Sequence, residues 1–127
     1  MKVALVGPRD VRAGEVGRVL DQLSDQDELV VTGALRGLVD VLLKRRPRSR
    51  RPRVTVEFME QGRYSPDEAR NRLAMRLVHA AVPPHEVVIV GDLEGEFVDA
   101  LIQQAEKVPR PIPVVSGEDF VRERTEA

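Results

Sequence analysis

The glycines that end short apolar runs are the residues of this chain most suited to hold a ligand. Gly7, Gly33 and Gly91 each follow a run rich in valine and leucine. Glycine lets the chain turn sharply and lets a ligand approach the main chain. The free N–H groups and the dipole of a following helix favour a bound anion. The pattern therefore predicts a phosphate or nucleotide site, with ordinary turn geometry as the alternative.

Two further glycines, Gly37 and Gly95, lie at or just before predicted helix starts. No G-x-G-x-x-G follows the first apolar run, and no G-x-x-x-x-G-K-[ST] occurs anywhere. The usual dinucleotide fingerprint and the P-loop are therefore both excluded.

Arginines and one tyrosine could complete such a site. Arg9 follows the first glycine turn and could reach a phosphate, or be a solvated loop residue. Arg36 and Arg70 lie near predicted helix starts, where a cation opposes the helix dipole, so structure alone does not favour them. Tyr64 follows the third apolar run and could stack on a base.

Groups for acid–base or metal chemistry are sparse. Asp99 and Glu96 lie near a predicted helix start, where an acid is favourable on structural grounds alone. No pair of carboxylates has a spacing that demands an acid–base role. His79 and His85 have no predicted partner, and the chain has no Cys and no H-E-x-x-H. No metal site is predicted.

A cationic segment spans residues 44–53 and includes the loop from Arg45 to Arg53. Seven of its ten residues are Lys or Arg, and the rest of the chain has thirteen cations against twenty-one acids, about −8. Such a run can bind nucleic-acid phosphate with strong salt dependence. The favoured interpretation is a solvated loop that pairs with acids of a neighbouring subunit. No aromatic residue interleaves with it, so base stacking there is not expected.

Apolar runs alternate with helical stretches along the chain. Runs without polar alternation indicate strands buried on both faces, as in a parallel sheet covered by helices. We predict an α/β fold: a Rossmann-like three-layer sandwich with a five-stranded, mainly parallel sheet. Ligands of such sheets bind at the carboxyl ends of the strands. The predicted strands are 2–6, 29–32, 54–58, 86–90 and 112–115, and the predicted helices are 13–23, 37–44, 66–81, 95–106 and a short turn at 118–122.

Composition limits the class of protein. The 127 residues suit one domain, 1–127, without disulfides. No apolar run is long enough to span a membrane, and a net charge of −1 gives no global attraction to nucleic acid or membrane. The chain is expected to be cytoplasmic. With 32% charged and 3% aromatic residues it also fits a heat-adapted protein.

Four motifs, in order, resemble those of the SLOG superfamily. Gly7-Pro8-Arg9-Asp10 resembles the G-S-R-[DE] turn of its YspA-like branch. The segment 32–38, TGALRGL, is similar to the G-G-A-R-G-A-D segment of that branch and to S-G-x-A-R-G-[IV]-D of the DNA-processing protein A family. The segment 68–75, EARNRLAM, resembles the shared R-N-x-x-[MI] helix start. The segment 90–96, VGDLEGE, takes the place of the P-G-G-x-G-T loop of LONELY GUY-type phosphoribohydrolases.

The resemblance implies a Rossmann-like fold that binds a nucleotide or nucleotide-derived ligand. Arg70 would pair with ligand phosphate, since a guanidinium fork suits phosphate oxygens. Asn71 would support the loops. Asp99 matches the catalytic Glu of the phosphoribohydrolases with a carboxylate shorter by one methylene, and Glu96 replaces their Thr. The implied ligand-binding residues are Gly7, Pro8, Arg9, Gly33, Arg36, Gly37, Arg70, Asn71, Gly91, Gly95 and Glu96.

Three functions remain open at this point. The leading one is a sensor or carrier of a nucleotide-derived ligand at the carboxyl edge of the sheet, with no other cofactor. The second is an N-glycosidic hydrolase of nucleoside monophosphates, with Asp99 as the carboxylate and Arg70 as the phosphate clamp. The third is a nucleic-acid module that uses the loop from Arg45 to Arg53. Because related small proteins commonly pair through helices, a homodimer is expected, and no membrane partner is expected.

Overall fold

The computed structural model describes residues 1–60 and 62–126. Five strands form one sheet in the order β3-β2-β1-β4-β5. Every pairing is parallel, so the sheet is wholly rather than mainly parallel. The predicted α/β fold is confirmed. The strands are β1 (Lys2–Val6), β2 (Glu28–Thr32), β3 (Arg53–Glu57), β4 (Glu86–Ile89) and β5 (Val114–Ser116).

Five α-helices connect and follow the strands. They are α1 (Ala13–Leu20), α2 (Arg36–Lys44), α3 (Pro66–Val78), α4 (Gly95–Glu106) and α5 (Gly117–Thr125), and 3-10 turns cover Gly33–Leu35 and Arg48–Arg50. The winding reverses after β3, because the chain returns past β1 to place β4 on its other side. The switch point therefore lies between β1 and β4.

Side chains that alternate along the strands fill two separate cores. Leu5, Val31 and Val88 point into the layer of α1, α2 and α5. Ala4 and Val30 point into the layer of α3 and α4. Since the sheet is covered on both faces, the three-layer sandwich follows directly from the unbroken apolar strands.

Two serines start helices as the sequence indicates. Ser65 Oγ accepts from the Glu68 N–H at 3.2 Å, with Pro66 in the first turn. Ser116 Oγ accepts from the Asp119 N–H at 3.1 Å. Both contacts are N-caps that satisfy an N–H group otherwise lacking an acceptor.

Several predicted element ends are wrong by a few residues. Helix α1 ends at Leu20 rather than 23, and α3 ends at Val78 rather than 81. Strand β5 starts at Val114 because Pro113 has no N–H to donate. Helix α5 is a full helix rather than a turn, since Phe120 and Val121 are buried against the first core.

In the part of the chain that the structure describes, no helix has both the length and the apolar character needed to cross a membrane.

Glu86, at the start of β4, has an ionisable side chain with a buried carboxylate oxygen. Glu86 Oε2 and Arg124 Nε are buried and have no hydrogen-bond partner among the described residues. Burial raises the pKa of Glu86 above its ordinary 4.5, with a smaller contribution from Glu123, while Arg124 and His85 oppose the shift. The folded chain therefore holds this proton more tightly than the unfolded chain does.

Glu86→Gln is expected to stabilise the protein near neutral pH. The stability that protonated Glu86 contributes is present below the unfolded pKa and is lost as pH rises through the raised folded pKa. Glutamine stays neutral throughout. Urea unfolding should give similar stabilities for variant and wild type at about pH 4, and a more stable variant at about pH 7. An equal difference at both pH values would contradict this account of Glu86.

Candidate functional site

The glycines after β1, β2 and β4 do not converge on one site. Gly7 and Gly33 line a cleft of about 280 Å³ on the α3–α4 side of the sheet. Gly91 lines two adjoining clefts with Glu15 at the switch point. The strand ends thus divide into separate sites at the carboxyl edge.

We call the first of these the rim cleft. Its walls combine main chain, apolar side chains and two polar groups. Gly7, Gly33 and Ala34 present main chain, and Met59, Leu73 and Phe97 form an apolar wall. Arg9 and Thr32 supply the polar groups, and Phe58 completes the lining.

Thr32 is the unusual residue of the rim cleft. Its side chain is 4% exposed, and its hydroxyl has no hydrogen-bond partner among the described residues. Thr32 is also the residue before the 3-10 turn Gly33–Leu35, but its side chain does not cap that turn. An unpartnered buried hydroxyl costs about 1–3 kcal/mol, so a ligand oxygen that bonds to it gains affinity.

The 3-10 turn Gly33–Leu35, which leads directly into α2, begins beside Thr32. Neither the 3-10 turn nor α2 receives a side-chain cap, and neither has an acid in its first turn. The first N–H groups of a helix have no acceptor within it, so this end favours an anion. Arg36 and Gly37 form the first turn of α2 and are exposed, outside the lining of the rim cleft.

The Gly91 N–H, by contrast, already donates to a carboxylate of the same chain. The acceptor is Glu15 Oε2, at 3.0 Å. Gly91 has a positive φ of 69°, which only glycine adopts without strain. The surrounding lining includes Asp10 and Asp92 against Arg12. A phosphate at Gly91 would have to displace the Glu15 carboxylate and face further acids.

Four of the remaining predicted residues share a groove between α3 and α4. Arg70, Asn71, Glu96 and Asp99 line it together with Asp67, Ala100 and Gln103. Gly95, at the first position of α4, is exposed beside them. The structure therefore brings these four predicted side chains together, but outside the rim cleft of Gly7, Arg9 and Gly33.

The Arg70 guanidinium is already paired with two carboxylates of the same chain. Arg70 NH1 donates to Asp67 Oδ1 at 3.0 Å, and NH2 donates to Glu94. The Arg70 side chain is 17% exposed. With Glu96 and Asp99 nearby in the lining, the α3–α4 groove is acidic, which opposes the binding of a phosphate.

A buried amide fixes Asn71. Gln104, 5% exposed, donates from Nε2 to Asn71 Oδ1 at 3.0 Å. Its Oε1 lies 2.9 Å from His79 Nε2. These hydrogen-bonded side chains join α3 to α4. The resemblance implies that Asn71 supports the loops, whereas here it supports the contact between two helices.

The cationic segment is largely bound to the protein's own helix ends. Arg46 pairs with Asp21 at 2.7 Å and donates to Gly17 O and Leu42 O. Arg51 donates to Arg46 O at 2.7 Å, and Arg50 donates to Asp21 O. These cations lie at the carboxyl ends of α1 and α2, where the helix dipole favours them. The acid that Arg46 pairs with, Asp21, belongs to this chain.

The chain was compared with three kinds of known protein. Family models, curated proteins and solved structures all give no match. The predicted relationship to the SLOG superfamily and the predicted homodimer therefore remain predictions. Function has to be inferred from the chemistry of the clefts.

No cluster of three or more His, Asp or Glu side chains in residues 1–60 and 62–126 is arranged to hold a metal ion. The rim cleft instead differs from its neighbours by its charge. Its lining includes Arg9 and no acid, whereas acids line the Gly91 clefts and the α3–α4 groove. This contrast makes the rim cleft the candidate anion site.

Sequence reasoning missed three residues that decide the site. Thr32 and Phe58 lie at the ends of predicted strands and Glu15 lies in a predicted helix, and none of the three is predicted as a site residue. Thr32 has a recognisable signal, a lone hydroxyl at the end of an otherwise apolar buried strand. The contact of Glu15 with Gly91 joins residues 76 positions apart, and no local pattern indicates it.

Proposed function

We propose that this chain binds a nucleotide or nucleotide-derived ligand in the rim cleft, as a sensor or carrier. The observation that carries the proposal is the buried Thr32 hydroxyl, which has no partner among residues 1–60 and 62–126, in a cleft whose lining there includes a cation and no acid. Such a site favours an oxyanion with neighbouring hydroxyls.

The ligand's phosphate fits the start of the 3-10 turn at Gly33. There the N–H groups of the turn and the Arg9 guanidinium can both donate to it. The Thr32 hydroxyl can bond to a ribose or phosphate oxygen, and the apolar wall of Met59, Leu73 and Phe97 suits the less polar part of the ligand. This combination is typical of small-ligand sites, which are mostly apolar with few polar groups.

The size of the cleft limits the ligand. Its 280 Å³ lies just below the roughly 300 Å³ at which ligand clefts usually begin. One nucleoside monophosphate suits this space, whereas a dinucleotide exceeds it. The absence of a dinucleotide fingerprint in the sequence agrees with this limit.

Isothermal titration calorimetry with adenosine 5′-monophosphate tests the proposal. Arg9→Ala is expected to weaken binding at least about tenfold, because it removes a charge-assisted hydrogen bond. Thr32→Val should weaken binding several-fold while leaving the protein as stable or more stable, since valine has the same shape and no unpartnered hydroxyl.

Arg18→Ala is the matched control for the Arg9 variant. Arg18 is an exposed arginine at the Gly91 clefts. Its loss should leave binding unchanged. Equal losses from Arg9→Ala and Arg18→Ala would show a general charge effect, and no binding by the wild type to any nucleoside monophosphate would refute the proposal.

The second candidate is the N-glycosidic hydrolase. It is favoured by one observation: Arg70, Asn71, Glu96 and Asp99 line the same groove. The pairing of Arg70 with Asp67 and Glu94 weighs against its role as a phosphate clamp. Chromatography of the titration mixture distinguishes the two functions, because hydrolysis releases free base and Asp99→Asn would abolish that release.

A further inference from the structure

Phe58 is the aromatic residue that the fold leaves open to a ligand. Its side chain is 54% exposed, whereas Phe97 and Phe120 are 5% and 1% exposed. It follows β3 directly and lines the rim cleft beside Thr32 and Arg9. The fold therefore leaves this ring accessible to a ligand in the rim cleft.

The Phe58 ring packs against Gly33. A Cβ added to Gly33 would lie 2.5 Å from Phe58 Cδ1 and 2.9 Å from Cε1. The ring therefore packs directly on the main chain of the glycine that starts the 3-10 turn. The rest of the ring is left free in the cleft.

Helix α3 fixes the main chain of Phe58. The Arg76 guanidinium donates to Phe58 O and pairs with Glu57 at 3.2 Å and Glu60 at 2.8 Å. The end of β3 is thus bound to the helix through charge-assisted hydrogen bonds. An aromatic ring on such an anchored strand end is held in place before any ligand arrives, which lowers the entropic cost of binding.

Tyr64 is the aromatic residue that, from the sequence, could stack on a base. The Arg72 guanidinium lies over its ring, 4.3 Å from the centroid. This cation–π contact covers one face of the ring. Tyr64 is not part of the rim-cleft lining, whereas Phe58 is. Phe58 is therefore the residue placed to stack on a ligand in this cleft.

We propose that Phe58 stacks against a planar heterocycle and so selects nucleoside monophosphates over sugar phosphates and free phosphate. This inference rests on the proposed function, because it assigns a binding residue to the base of the same nucleotide. The phosphate lies at the Gly33 turn and Arg9, and the base lies on the exposed part of the Phe58 ring. Stacking of this kind does not depend on which base is present, since every base has a π face.

Calorimetry with two probes tests the role of Phe58. Adenosine 5′-monophosphate carries a base, and ribose 5-phosphate carries the same sugar and phosphate without one. Phe58→Ala is expected to weaken the first about tenfold or more and to leave the second unchanged. Equal weakening of both probes, or of neither, overturns the stacking role while leaving the proposed function intact. A wild type that binds neither probe overturns both.

A fluorescence variant gives an independent reading. The chain has no tryptophan, so Phe58→Trp introduces a single reporter in the cleft. Adenosine 5′-monophosphate should quench its emission, and ribose 5-phosphate should not. Val82→Trp, at a position 63% exposed in another loop, is the matched control and should respond to neither probe. Quenching of the two tryptophan variants to the same degree would refute stacking at Phe58.

Discussion

Replacing Gly7 by alanine should lower the free energy of unfolding by about 1–3 kcal/mol, the usual cost of overpacking. An added Cβ would lie 2.7 Å from both the carbonyl oxygen and Cγ2 of Val90. The Val90 main chain cannot easily retreat, because its N–H donates to Val6 O at 2.9 Å in the sheet. Urea unfolding of the variant and wild type measures the loss.

Gly14→Ala is the matched control for the Gly7 substitution. Outside its own helix, no described residue lies within 4 Å of a Cβ added at Gly14, which lies in α1. Alanine is favoured over glycine in a helix by up to about 1 kcal/mol, so this variant should be as stable as the wild type or more stable. If Gly7→Ala were equally harmless, the close packing of Val90 against Gly7 would be wrong.

Arg46→Ala should lower the free energy of unfolding by about 1.5–3 kcal/mol, the usual range for hydrogen bonds of a charged group. The Arg46 side chain is 18% exposed and joins Asp21, Gly17 O and Leu42 O. Its loss leaves the last carbonyls of α1 and α2 without their cation. The change should appear as a lower urea midpoint with an unchanged slope.

Arg45→Ala separates this structural role from the general charge of the segment. Arg45 is exposed, and its side chain makes no hydrogen bond or ion pair within the described residues. Its substitution should change stability by no more than about 0.5 kcal/mol. Equal losses from the two variants would mean that the segment acts through its overall charge rather than through Arg46.

The fold could be predicted from sequence because its signals are local. Unbroken apolar runs indicated buried parallel strands, and the serines at 65 and 116 indicated two helix starts. Element ends were less accurate where tertiary packing decides them. The buried Phe120, for example, extends α5 beyond the turn that its sequence suggests.

The site could be predicted only in part, since side chains distant in sequence decide which strand ends are free. Gly33 was identified from its position after a strand, and the cleft beside it lacks acids. Gly91 has the same local pattern, yet Glu15 takes its N–H. The pairing of Arg70 with Glu94 likewise has no local signal, because it joins residues 24 positions apart.

Amide NMR during titration with adenosine 5′-monophosphate locates the ligand most directly. The largest chemical-shift changes should fall on Thr32, Gly33, Ala34, Phe58 and Met59, around the rim cleft. Changes concentrated instead at Arg70, Asn71 and Asp99 would contradict this placement and favour the α3–α4 groove. A spectrum that did not change at saturating nucleotide would contradict nucleotide binding itself.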